Sequence, residues 1–106
     1  MQDASANSEG VWIDTLPVNE VLEIRTQNHV YLLEKRSDGY YLSGHPEYCP
    51  TPTKFAVSGS GLGYLKAGFI GLGLQLEGMF DGDYAVFTTS LIKSIRQLPQ
   101  GSLVNL

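Results

Sequence analysis

The sequence predicts an all-β fold, a small antiparallel barrel of SH3-like, Sm-like or OB-like type built from about five to seven short strands. Three observations carry this expectation. Between Val21 and Leu98 the hydrophobic period is two rather than 3.6, and turn signals break the chain every six to fifteen residues. Seven of the twelve glycines crowd into Gly59 to Gly78, GSGLGYLKAGFIGLGLQLEG. A period of two places successive side chains on opposite faces of a pleated strand. Glycine inside a strand packs nothing and loses conformational entropy, so such a density marks bulges, barrel corners or a close backbone approach.

In Val21 to Gln27, Leu22, Ile24 and Thr26 fall on one face and Glu23, Arg25 and Gln27 on the other, with Asn28-His29 as the turn. Val30 to Lys35 follows, then Ser37-Asp38-Gly39, whose Asp-Gly pair suits a hairpin needing positive φ, then Tyr40 to Ser43. Gly44 to Thr53 holds three of the five prolines and reads as an irregular crossing segment. Lys54 to Ser58 is expected as a strand. Gly59 to Gly63 is expected as a flexible loop, Leu62 to Ala67 as the best place for one helical turn, and Gly68, Gly71 and Gly73 as a barrel corner. That glycine stretch reads as one strongly bent strand, continuing through Leu72 to Met79 with Leu72, Leu74 and Leu76 inward. Tyr84 to Thr89 and Leu91 to Leu98 complete the pattern as two runs.

With 106 residues the chain has room for one domain, which buries about 60 to 65% of its unfolded surface and leaves little space for a large enclosed active site. Residues 1–18 are expected to form a disordered acidic arm, 19–99 the barrel and 100–106 a tail. The first twenty residues carry Asp3, Glu9, Asp14 and Glu20 without a base, and the remainder balances seven acids against seven bases. A neutral body offers no net pull on phosphates, which dominate affinity for nucleic acid. The single cysteine, Cys49, and an N-terminus without a charged and apolar leader pattern point to a cytoplasmic protein. The longest uncharged apolar run near the glycines, Ala67 to Leu74, is far short of the ~20 residues of a helical membrane span.

Candidate chemistry is sparse. A Walker loop needs Gly-Lys-Ser/Thr after its spacer, but Gly68 is followed by Phe69 and Ile70. A dinucleotide loop needs a glycine where Lys66 or Leu76 stands. An extended backbone would send His45, Glu47 and Cys49 to one side, three residue types that zinc accepts. Structural zinc needs a fourth ligand and paired spacing, so these are weak metal candidates, and a solvated proline-rich loop is the simpler reading. Cys49 and His45 also lack the third group and oxyanion donors of a catalytic thiol, so no enzyme and no cofactor are expected. Tyr31, Tyr40, Tyr41, Tyr64 and Phe69, with Arg25, Lys35, Arg36, Lys54 and Lys66, would serve a single-stranded nucleic-acid barrel, the alternative function.

The segments IRTQNHVY, GSGLGYLKAGFIGLGLQLEG and TTSLIKSI, in order across Val21 to Leu98, resemble a family of short bacterial β-barrel proteins. The resemblance implies the fold and supplies no catalytic residues. The leading expectation is a non-catalytic binding module for a protein partner or its own copies, with Phe69 and Ile70 as exposed contacts and Tyr64 and Trp12 beside them. Trp12, between Val11 and Ile13, reads as an apolar triplet that packs back on the body or anchors a partner.

Overall fold

The computed structural model describes residues 9–98. In chain order the strands are β1 (Gly10–Trp12), β2 (Val21–Thr26), β3 (Val30–Arg36), β4 (Gly39–Ser43), β5 (Thr53–Gly61), β6 (Leu65–Ala67), β7 (Phe69–Gly71), β8 (Gln75–Phe80) and β9 (Phe87–Leu98). A 3-10 turn at Ile13–Thr15 follows β1. Six strands run antiparallel in the order β4-β3-β2-β9-β8-β5, and β4 pairs with β5 through Tyr41–Lys54 and Leu42–Thr53, which closes the barrel. β6 is an extra strand on β5, and β1 and β7 form a separate two-stranded ribbon.

The alternation read in β2 is the packing observed. Leu22, Ile24 and Thr26 are buried, while Glu23 and Arg25 sit outward and pair at 3.4 Å. Tyr31 and Leu33 from β3, Leu42 from β4, Phe55 from β5, Leu76 and Phe80 from β8 and Ile92 from β9 complete the interior, with Cys49 added from the crossing segment. Each such side chain contributes about 1.5 to 3 kcal/mol by leaving water.

Three expectations are corrected. The glycine-dense stretch is the end of β5, then β6, β7 and the start of β8, rather than one bent strand. Gly68 and Gly73, at φ +72° and +78°, are its turns. Leu62 to Ala67 forms no helical turn: β6 pairs back along β5, Gly61 opposite Leu65. Leu72 and Leu74 lie before β8 and are only half buried, whereas Leu76 is in the core.

The run expected from Tyr84 begins only at Phe87, because Tyr84 to Val86 belong to the preceding loop, and its remainder is joined to Leu91 to Leu98 as β9. Its register against β8 slips between Gln75 and Glu77, so inward parity passes from Thr89 to Ile92. The Thr89 hydroxyl stabilises the slip by accepting from the Leu76 amide (3.1 Å) and donating to the Ser90 carbonyl (2.7 Å). A bulge of this kind reads in sequence as a gap between two strands.

Residues 1–8 of the expected arm, and residues 99–106 with the expected tail, lie outside the described residues. The arm's remainder is structured as far as Leu16. Val11 faces Ile70 and Trp12 faces Phe69 across the ribbon, Leu16 is buried, and Lys35 Nζ donates to the Leu16 carbonyl at 2.8 Å. The apolar triplet therefore packs back, because β7 offers it a strand edge.

The ends of the barrel differ. The β1–β7 ribbon plugs one, inserting Ile70 into the core. The turn at Asn28-His29, the crossing segment and the loop from Asp81 to Val86 surround the other.

Candidate functional site

Of the expected contact residues, Ile70 is fully buried and Phe69 half buried. Adjacent strand residues face opposite ways, so Ile70 fills the core while Phe69 turns outward and meets Trp12, ring centroids 4.9 Å apart. Serine at Ile70 would therefore perturb folding, not binding. Lys66 Nζ lies 4.4 Å from the centroid of Phe69 and 5.4 Å from that of Trp12, a cation held over two π faces. Tyr64 is 83% exposed at the tip of the β5–β6 hairpin, flanked by exposed Leu62 and Leu65.

The weak metal candidates are not gathered. Cys49 N–H donates to the His45 carbonyl at 3.0 Å and Gly44 N–H to the Cys49 carbonyl at 2.9 Å, so the segment turns back rather than extending. Cys49 is buried, Glu47 is exposed, and His45 Nδ1 accepts from the amides of Glu47 (3.1 Å) and Tyr48 (3.3 Å). No group of three or more His, Cys, Asp or Glu among the described residues is placed to hold a metal ion.

Of the five bases named for a phosphate track, four are engaged within the fold. Arg25 pairs with Glu23, Arg36 with Glu34 at 3.0 Å and Lys54 with Asp38 at 3.7 Å, and Lys35 is spent on Leu16. Arg36 also lies over the Tyr41 ring at 4.0 Å, so that platform is covered from within.

Sequence reasoning missed the open mouth. A recess of about 480 Å³ there is lined by His29, Tyr31, His45, Tyr48, Asp83, Phe87 and Ser90, among others. Its rings are contiguous: His29 to His45 is 4.3 Å, His45 to Tyr48 4.8 Å and Tyr48 to Phe87 5.5 Å between centroids. The barrel brings them together from a hairpin turn, a crossing loop and a strand start. No local motif announces that meeting.

Tyr31 forms the floor, 2% exposed, and its hydroxyl makes no hydrogen bond among the described residues. Burial, and secondarily the neighbouring Cys49, push this phenol up to about 12. Burial likewise raises the Cys49 thiol, against a backbone hydrogen bond from the His45 peptide region that lowers it. Both groups are thus held neutral in the fold. The unfolded chain releases these protons first, at about 8.5 for a thiol and about 10 for a phenol, so it binds fewer protons than the native protein and stability falls as pH rises. Urea unfolding should show stability declining from about pH 9 towards pH 12, and Tyr31→Phe should make the decline shallower above about pH 10. A rise over that window, or an unchanged slope in the variant, would contradict this.

Fold and surfaces together define a small closed β-barrel with one plugged end, one open aromatic mouth and one added edge strand. Compared with protein-family models, with curated proteins and with solved structures, the chain finds no match. Among the described residues no helix is long and apolar enough to cross a membrane.

Proposed function

We propose that the protein is a non-catalytic binding module that adds an extended segment of a protein partner to the free edge of β6. One observation carries the reading: among the described residues β6 pairs on one side only, with β5, and all three of its residues are exposed. The Gly68 amide bonds to the Ser58 carbonyl, so Lys66 is the hydrogen-bonded partner of Ser60, and the N–H and C=O groups of Leu65 and Ala67 point away from β5. Such groups bind an incoming strand through its main chain, and exposed Leu62, Tyr64 and Leu65 supply apolar contact beside them.

Lys66 selects the partner. Two copies pairing β6 to β6 about a two-fold axis would bring their Lys66 ammonium groups together, an unfavourable cross-strand meeting. An acidic residue opposite Lys66 is favourable, so the partner is a different chain bearing an acidic extended segment. We place this function in the cytoplasm, where a lone buried thiol stays reduced.

A photo-crosslinking residue replacing Tyr64 in the full chain, expressed in the cell it comes from, should capture one discrete protein. The same residue replacing Lys93, exposed on β9, should not. Ala67→Pro removes an outward amide, and Lys66→Glu reverses the edge charge; each should abolish capture at position 64. Equal capture from both positions, capture of RNA, or capture that survives both variants would sink the reading.

A further inference from the structure

We infer that the open mouth is a second binding site, independent of β6, for a small uncharged planar heteroaromatic ring of the kind found in a free nucleobase or nucleoside. Its walls are π faces. His29, His45, Tyr48 and Phe87 follow one another at centroid spacings of 4.3 to 6.0 Å, and such faces reward a flat ring over a saturated one.

The polar groups specify a heteroatom-bearing edge. Tyr31, at the recess floor, makes no side-chain hydrogen bond among the described residues, and Ser90 Oγ, also lining the recess, is buried and unpartnered. A buried hydroxyl left unpaired, as at Ser90, costs free energy that a ligand offering a donor or acceptor recovers, and the Tyr31 hydroxyl is a second group such a ligand can engage. His45 spends Nδ1 as the acceptor of two amides of its own loop, which leaves Nε2 as the donor its ring offers to the recess.

Charge narrows the class. Among the described residues no lysine or arginine lines the recess, and Asp83 is the one carboxylate that does. A phosphate would enter without a counter-charge and against an anion, so the base or nucleoside is favoured over the nucleotide. The recess, at about 480 Å³, lies within the size range of sites for such molecules.

The test is a titration of the isotopically labelled full chain, followed by NMR at the rings of His29, Tyr31, His45 and Phe87, with adenosine, adenosine monophosphate and cyclohexanol as separate probes. Adenosine should shift these resonances saturably, adenosine monophosphate should bind at least about fivefold more weakly, and cyclohexanol should leave them in place. Tyr31→Phe, which keeps the ring and removes the hydroxyl, should weaken adenosine about fivefold. Equal binding of the nucleotide, equal shifts with cyclohexanol, undiminished affinity in Tyr31→Phe, or no shift with adenosine at millimolar concentration would each overturn the assignment. Resonances of Tyr64 and Lys66 should stay fixed throughout, which keeps this result separate from that of the β6 edge.

Discussion

Gly59→Ala is expected to destabilise the protein by about 3 kcal/mol or more, the sum of an overpacking term and a positive-φ term. Gly59 has φ +143°, and a methyl carbon built on it would lie 2.2 Å from the Lys66 carbonyl oxygen, 2.9 Å from the Gly68 nitrogen and 3.1 Å from the Ala67 Cα. All three neighbours are backbone, so no rotamer change relieves the clash. The strand that must move is β6, and moving it breaks the pairing through which β5 presents the free edge. Gly63→Ala is the internal control: φ is +93°, yet nothing lies within 4 Å of the added methyl, so only strain of about 1 to 2 kcal/mol remains. Urea denaturation of the two variants checks the contrast. Equal costs would mean that β6 does not press on Gly59.

What sequence made legible follows from how local the causes are. Leu22, Ile24 and Thr26 on one face, and the Asp38-Gly39 hairpin, depend on residues a few positions apart, and the barrel repeats both in place. The glycine stretch was harder, because glycine density says that backbone approaches backbone but not which one. Gly59 meets β6, Gly61 meets the Tyr64 carbonyl, and Gly78 meets Phe55 and the Ala56 carbonyl, three different neighbours for one composition signal. Ile70 reads as an exposed contact but is buried, for a related reason. Two adjacent apolar residues show that one faces out, but only the ribbon with β1 decides which.

The mouth lay beyond reach because its rings come from positions 29, 31, 45, 48 and 87, which only closure brings within stacking distance. Along the chain, His45 reads as a metal candidate from its neighbours Glu47 and Cys49. Its working neighbours are His29 and Tyr48, and the turn that seats its ring also sends Cys49 into the core. The two candidate surfaces thus divide the molecule. Glycines free the β6 edge near the plugged end, and aromatic side chains line the opposite mouth, so a change at one can be read without disturbing the other.

The residue that ties the plug to the barrel is Ser60, and Ser60→Ala is expected to cost about 2 to 4 kcal/mol. Within the ribbon, the bonds of Leu72 N–H to Glu9 and of Ile13 N–H to Gly68 leave Val11 and Ile70 facing one another. The Phe69 carbonyl and the Gly71 amide consequently point to the other side of β7, where among the described residues no strand pairs with it. The fully buried Ser60 hydroxyl meets both, donating to Phe69 at 2.5 Å and accepting from Gly71 at 3.0 Å. Alanine satisfies neither, and a buried amide and a partly buried carbonyl lose their partner at once. The loss should be local before it is global. Hydrogen exchange at the Gly71 amide should speed up by more than the change in global stability requires, and Trp12, the chain's one tryptophan, should emit further to the red as the ribbon loosens. Mouth resonances of His29 and Phe87 should hold. If Gly71 keeps its protection and Trp12 its emission, the ribbon is held by Ile70 burial alone and the hydroxyl is dispensable.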